Sequence, residues 1–416
     1  MTTRTAAAPP RLHRDRFTLS MYGVFVTWGW LLYSFNPSVP LLARELGVSN
    51  AAAGLHGTAM AVGALLAAAL TPRAVRRAGR RSTLVAGGVV IAAGVGLLTT
   101  GRALPVTLGG IALVAVGGNM AVSAAQAGLA GHHGRSASAA VTEANGVGSG
   151  VGLIGPLAVG ACVAAGWGWR PAVAVTAALA LATAALVGRL PLTGVLARAP
   201  RTAGVPEARD EPVGPVEQGG SGATTARAVR TSRWFLVTVV AALALENATT
   251  YWATDLVRER TGAGAGIATA TTAGLVAGMT LVRFVVGPLS LRVPPARLLA
   301  GAFGVAVAGW AVLWTATTTP VAIAGLVLAG LGYGAQYPLG IALLLGASGG
   351  ATDAAQARAT VGGGLAIGVA PFLLGALADA VGADTAFLVV PVLAVVGGVA
   401  AVAGARAWRR EGPGTA

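Results

Sequence analysis

A chain of 416 residues that is 55% apolar and only 10% charged is not an ordinary soluble protein, in which about a quarter of residues carry charge. Its net charge of +15 comes from 29 basic residues, every one an arginine, and its 62 glycines exceed what soluble helices tolerate while suiting membrane helices, where small residues let backbones approach. A single cysteine, Cys162, excludes an intramolecular disulfide. With four scattered histidines (His13, His56, His132, His133) it offers no metal site, and a chain without lysine has no Walker-type phosphate loop.

Residues 1–16 are polar and basic and read as a cytoplasmic tail. The apolar run that follows is too long for a signal-peptide core and lacks a small-residue cleavage site, so it reads as a retained first span. Runs of about 20 apolar residues mark spanning helices. They fall at 17–42, 51–70, 82–100, 104–129, 138–165 and 171–188, then at 234–257, 265–290, 298–315, 320–346, 358–380 and 385–404. The expected fold class is therefore an all-α polytopic membrane protein with twelve transmembrane helices. They form two six-helix bundles, 17–188 and 234–404. Between them lies a cytoplasmic linker, 189–233, whose prolines, mixed charge and GGSG run read as flexible. Residues 405–416 form a C-terminal tail.

Arginine placement orients the spans. With the N-terminus cytoplasmic, 23 arginines lie in inside segments and five (Arg44, Arg102, Arg170, Arg258, Arg260) outside, leaving Arg283 within a span. That split follows the positive-inside rule and puts both termini in the cytoplasm of an inner or plasma membrane. The basic charge is thus accounted for without nucleic acid.

The two bundles repeat each other. Sliding the chain along itself until Gly63 falls on Gly278 also places Arg77 on Arg292, Gly94 on Gly309, Pro105 on Pro320, Gly110 on Gly325 and Gly117 on Gly332. Farther on, with the offset unchanged, Gly148 meets Gly363, Pro156 meets Pro371 and Gly160 meets Gly375. A parallel repeat of six spans is the signature of a transporter built from two related halves, with substrate held between them near midplane.

On this layout and its loops the chain resembles the major facilitator superfamily over essentially its whole length. The loop TPRAVRRAGRRSTL at 71–84 is similar to that family's basic signature G-x-x-x-D-R-x-G-R-R at Arg77, Gly79, Arg80 and Arg81. It departs at the Asp and first Gly positions, here Arg76 and Pro72, so the family's charge relay from that Asp does not operate unchanged. The matching loop of the second half keeps Arg283 and Arg292, and the resemblance implies a cytoplasmic-gate role for an arginine on the eighth helix. Gly155-Pro156 with Gly160 resembles part of the fifth-helix signature of proton-driven exporters, with the upstream glycines shifted and Val at 159.

Span 234–257 carries Glu246 near its midpoint. A charge there costs several kcal/mol, so the residue is a functional-site hypothesis by default: a proton or organic-cation site, or else a carboxyl paired by a neighbouring helix. Polar stripes point to a shared cavity. Asn119, Ser123 and Gln126 share a face of span 4 and Tyr333, Gln336 and Tyr337 a face of span 10. Trp28, Trp30, Tyr33 and Asn36 on span 1 and Asn247, Thr250 and Tyr251 on span 7 complete the candidate lining; interhelical hydrogen bonding and interface belts are the alternatives. Glu143 and Asn145 sit at the cytoplasmic side of span 5. Glu143 is expected to pair with Arg135 or with arginines of the loop after span 2, and Asp379 to be a solvated helix end. With Arg77, Gly79, Arg80, Arg81, Gly155, Pro156, Arg283 and Arg292, they form the gating or structural set.

The resulting reading is a monomeric secondary transporter of a bacterial inner membrane, not an enzyme and without cofactor, working by alternating access. Proton-coupled export of a small organic or amphiphilic compound is the first reading. Proton symport of a small metabolite or anion into the cell is the second, and a non-transporting membrane sensor on the same fold the third.

Overall fold

The computed structural model describes residues 13–196, 222–290, 292–349 and 352–410. Most of the expected N-terminal tail, the middle of the linker and the end of the C-terminal tail lie outside the described residues. The first half comprises α1 (Arg16–Phe35), α2 (Val39–Leu46), α3 (Asn50–Ala78), α4 (Arg80–Thr100), α5 (Leu104–His133), α6 (Ala137–Gly152), α7 (Ile154–Ala164) and α8 (Arg170–Gly188). The second comprises α9 (Gly222–Thr261), α10 (Ala265–Ser290), α11 (Pro295–Trp314), α12 (Thr319–Gly346), α13 (Thr352–Val381), α14 (Ala383–Ala386) and α15 (Val389–Arg410). Among the described residues eleven spans are long and apolar enough to cross a membrane. The twelfth, α1, is 20 residues long but diluted by Thr18, Ser20, Thr27, Ser34 and four tyrosine and tryptophan side chains.

Three expected spans are interrupted. The first bends at Asn36–Ser38, where Pro37 cannot donate to the helical ladder, and continues as α2. The fifth breaks at Leu153 between α6 and α7, one turn before Pro156, whose missing N–H and ring disturb the preceding turn. The twelfth is preceded by the single turn α14. The expected linker is also shorter than its sequence suggests. Its beginning packs on the first half with Leu190 and Leu196 buried, and its end is already helix, because α9 starts at Gly222. Likewise α15 runs to Arg410, through the start of the expected tail.

The two halves are built by the same pairings. In the first, α1 packs on α6 and α8, α3 on α5, and α4 on α5 and α8; in the second, α9 packs on α13 and α15, α10 on α12, and α11 on α12 and α15. The repeat holds down to single contacts. A Cβ added at Gly63 would lie 2.5 Å from the Ala112 carbonyl oxygen, and one at Gly278 2.2 Å from that of Val327. Gly94 would meet the Val114 nitrogen at 2.7 Å and Gly309 the Ala329 nitrogen at 2.2 Å. Gly110 meets the Leu98 nitrogen and Gly325 that of Leu313, while Gly117 meets the Gly87 oxygen and Gly332 that of Ala302. In all four pairs the target is displaced along the chain by the same offset as its glycine, so glycine and target repeat together. Backbone-to-backbone approach is what drives helix association in lipid, where apolar side chains gain nothing by leaving the bilayer.

The halves meet chiefly along α3–α13 and α7–α10. On α3 the contacts run from Asn50 to Ala61. Gly54 abuts Phe372, Thr58 donates to the Gly368 carbonyl and Gly375 abuts Asn50. These cross-half contacts cluster at the end bearing α2 and α14, hereafter the closed end, opposite the end bearing the described chain termini.

Candidate functional site

Glu246 and Asn247 are half-buried on α9 between fully buried Leu245 and Ala248. The cation nearest in influence is Arg283 of α10, within electrostatic reach of both Glu246 and the Tyr33 hydroxyl. Among the described residues, none of the ion pairs includes Glu246. Arg283 is exposed and donates from Nη1 to Ser149 Oγ of α6 at 2.9 Å, so its guanidinium bridges the two halves. Tyr333 and Tyr337 of α12 also feel the Glu246 charge. Tyr333 is tied by its hydroxyl to Thr249 Oγ1 at 3.0 Å, whereas Tyr337 is 40% exposed. An acid, a base that crosses the interface, and three phenols thus gather within electrostatic reach of one another beneath the closed end.

The other expected lining residues divide. Trp28 is half-buried and lies over Gly118, where an added Cβ would stand 2.1 Å from its ring. Asn119 and Gln126 are half-buried and Ser123 exposed, with the Asn119 amide donating back to the Ala115 carbonyl. Trp30 turns the other way: its indole donates to the Ala172 carbonyl of α8, inside the first bundle. Gln336 is fully buried, and neither amide atom has a partner among the described residues. It sits one residue from Tyr337 but about 100° around the helix, on the side toward the bundle interior. Asn36 is buried at the bend after α1, Thr250 donates to the Asn247 carbonyl, and Asn247 to that of Leu243. Tyr251 is buried and donates to Met60 Sδ of α3 at 3.3 Å, a contact between the two halves.

The gating set is tied mainly within the first half. Glu143 pairs with Arg14, Nη2 to Oε2 at 2.8 Å, a cation of the chain start and not one of the α3–α4 loop. The other expected partner, the Arg135 side chain, lies outside the described residues. The pairing raises the Arg14 pKa above its ordinary value through the side-chain hydrogen bond. Asn145 is exposed and donates to the Val141 carbonyl. Gly79, at φ +85°, divides α3 from α4, a backbone angle that favours glycine. Arg80 donates to the Val195 carbonyl at 3.3 Å and Arg81 to those of Leu190 and Gly188, fastening the segment that follows α8. Gly155 packs on Ser34 of α1 rather than on the opposite bundle, as do Gly148 on Phe25 and Gly152 on Tyr33. Gly160 alone of this series reaches across, to the Gly266 carbonyl. Pro156 is buried, and Arg77 and Arg292 are exposed.

Sequence reasoning missed the chemistry of the closed end. Asp379 is exposed near the end of α13, as expected, but it is not free: its carboxylate accepts from the Asn50 and Ala51 amides at 2.9 and 2.7 Å, capping α3 from the other half. Arg44 of α2 pairs with Asp255 of α9 at 2.7 Å, and Trp252 donates to the Pro371 carbonyl at 2.8 Å. The signals were present, an acid at each helix end, but the partners of both acids lie in the opposite half of the chain. At the opposite end Asp15 caps α1 and meets His132 Nε2 at 2.8 Å. Partial burial pushes its carboxyl up, yet the Thr18 amide and hydroxyl and His132 outweigh this and hold it below the ordinary aspartate range. Among the described residues there is no cluster of three metal-binding side chains.

The Major Facilitator Superfamily profile matches residues 19–345, and the chain belongs to that family. It is a polytopic membrane transporter of the family's fold. A search of curated proteins finds no match. Among solved structures, the chain is similar to a bacterial homolog of the human lysosomal transporter Spinster, in an inward-facing and unoccupied conformation. The TM-score is 0.73 and identity 15%, over 99% of this chain and 100% of that one. A D-xylose–proton symporter gives TM-score 0.73 and 15% identity over 94% and 96%. A bacterial homologue of the human drug peptide transporters PepT1 and PepT2 gives 0.72 and 15% over 96% and 100%.

Proposed function

We propose that the protein couples proton movement to the export of a small organic or amphiphilic compound across a bacterial inner membrane, and that it stands here open to the cytoplasm. The observation that carries the reading is the placement of Glu246. It is half-buried at midspan, within reach of Arg283, whose guanidinium holds Ser149 of the other half. A carboxylate at that depth is costly when charged, so it gains by taking up a proton whenever the cavity excludes water. Arg283 has two partners of different kinds, and a change in the charge of Glu246 alters its hold across the interface. That links protonation to the relative position of the halves. The 23-to-5 division of arginines supports a cytoplasmic location for the open end.

Export is supported by the resemblance of Gly155-Pro156-Gly160 to the exporters' fifth-helix signature, of which Gly160 makes a close contact with Gly266 of α10. A second reading, proton symport of an anion, is favoured by the exposed guanidinium of Arg283 in the cavity. Flux into or out of proteoliposomes under an imposed pH gradient, screened over cationic, neutral and anionic compounds, separates the two. In the same assay Glu246→Gln is expected to lower gradient-driven flux roughly a hundredfold while leaving substrate exchange at zero gradient. Gradient-driven flux at the wild-type rate in Glu246→Gln overturns the assignment.

A further inference from the structure

The pseudo-symmetry fails on the membrane-facing surface between α11 and α15. In the first half α4 and α8 close upon each other at Gly88, where an added Cβ would stand 2.9 Å from the Ala180 oxygen, and the space beside them is only about 10 Å³. The equivalent residue of the second half is Phe303. Its ring lies against Gly397 and Gly398 and holds α11 and α15 apart. Between them runs an apolar groove of about 490 Å³, lined by small residues including Ala300, Gly304, Ala394 and Gly398. Through Ala300, Val402 and Arg406 it continues into a second space of about 470 Å³ at the end bearing the termini, walled by Arg297, Arg409 and Trp408.

The corresponding end of the first half is covered by the chain itself, because Arg80 and Arg81 fasten residues 188–195 over it and Leu190 and Leu196 are buried there. In the second half Arg297, Arg406 and Arg409 are exposed. Among the described residues none of them is paired with a carboxylate, and no acid lines either space.

We propose that this groove is a binding site for an anionic phospholipid, its phosphate held by Arg297, Arg406 and Arg409 and one acyl chain laid along Gly304 and Gly398. Charge complementarity selects the headgroup: guanidinium forks match phosphate oxygens, and Arg406 and Arg409 lie three residues apart on one helix face. Geometry selects the tail. From Arg406 to Ala394 the groove follows α15 for about 18 Å, close to the roughly 15 Å hydrocarbon depth of one leaflet. Trp408 stands where an interfacial aromatic belongs, at the level of the headgroup.

The test uses the full chain in phosphatidylcholine vesicles containing increasing fractions of phosphatidylglycerol, with one or the other lipid brominated on its acyl chains. The Trp408 signal is taken as the fluorescence difference between wild type and Trp408→Phe. Brominated phosphatidylglycerol is expected to reach half-maximal quenching at about a fivefold lower mole fraction than brominated phosphatidylcholine. Arg406→Gln with Arg409→Gln removes that preference. So does Gly304→Leu, whose added Cβ meets no atom within 4 Å and whose side chain fills the groove while leaving the charges in place. If the double arginine variant does not fold, Arg297→Gln and Gly304→Leu carry the test. Equal quenching by the two lipids overturns the proposal, as does a preference that survives the arginine changes. A preference untouched by Gly304→Leu reduces the effect to bulk attraction and also overturns it. A shift in oligomeric mass on Gly304→Leu gives the face to a second copy of the chain, with the same result.

Discussion

At position 31 of α1 stands a leucine, buried among apolar neighbours; the equivalent place on α9 holds Glu246. The exchange is wider than one residue. Ala68 becomes Arg283. Trp28 over Gly118 in the first half is replaced by Leu243 and Tyr333 in the second, so the aromatic group moves from the first helix of the bundle to the fourth. At the closed end Glu45 meets Arg170 in the first half, and Arg260 meets Asp384 in the second, nearly the same two positions with the charges swapped. Meanwhile the glycines that set helix spacing repeat partner for partner. Spacing depends on backbone atoms and is intolerant of any added Cβ, whereas the diverged residues meet side chains that can change along with them.

That contrast is broken most severely at the unmatched acid. Glu246→Gln is expected to lower pH-driven flux in proteoliposomes by roughly a hundredfold, the equivalent of the roughly two to three kcal/mol by which a midplane charge differs from its neutral form. Leu31→Glu, which restores symmetry of charge, should not rescue it. Next come the matched glycines. Gly63→Ala and Gly278→Ala each force a methyl against a carbonyl oxygen at 2.5 and 2.2 Å, and each should cost about 1–3 kcal/mol of stability, read as a lowered melting temperature in detergent. Gly301→Ala, with no atom within 4 Å of the new methyl, is the control and should change stability by less than about 0.5 kcal/mol.

A smaller effect is expected at the cross-half cap. Asp379→Ala leaves the first amides of α3 without their acceptor, at about 1 kcal/mol. That corresponds to roughly a fivefold loss in favour of the shut closed end. Alkylation of a cysteine placed at Ala61, in a Cys162→Ser background, should rise accordingly. The smallest concerns Asp15. Because its carboxyl is held below the ordinary aspartate value, its contribution is present above that value and lost as pH falls through the lowered one. Asp15→Asn should therefore flatten the acid limb of the stability profile below about pH 4, and Asp15→Ala should cost about 1 kcal/mol near neutrality.

What the sequence made legible was whatever depends on composition along the axis. Span positions, the repeat and the depth of Glu246 follow from hydropathy and spacing, and α10 begins and ends at the residues expected of it. Direction around the axis was harder. In lipid the apolar and polar faces of a helix no longer distinguish outside from inside, so Trp30 and Tyr33, a single turn apart, looked equivalent. One serves a carbonyl of α8 and the other lies within reach of Arg283. Long-range pairing was hidden for a related reason. Arg14 competes with every other arginine of the chain as a partner for Glu143, and only packing brings the chain start to α6. The break at Leu153 was half-visible in Pro156, but the sequence does not say whether neighbouring helices keep such a rod continuous.

Several of the contacts between halves are glycine contacts: Gly160 on Gly266, Gly375 on Asn50 and Gly54 on Phe372. Two surfaces that meet at such points behave as a rocker on its bearing. Interlocked ridges would have to climb out of their grooves for one half to tilt on the other, losing dispersion contacts as they rose. Here a tilt of a few degrees carries each glycine only a fraction of an ångström past its neighbour. The same tilt sweeps the far ends of α3 and α13, roughly 25 Å along the lever, through a distance large enough to admit or exclude a solute. Fulcrum and lever are thus written into where side chains are missing, and adding even a methyl at the bearing would be felt as friction before it was felt as instability.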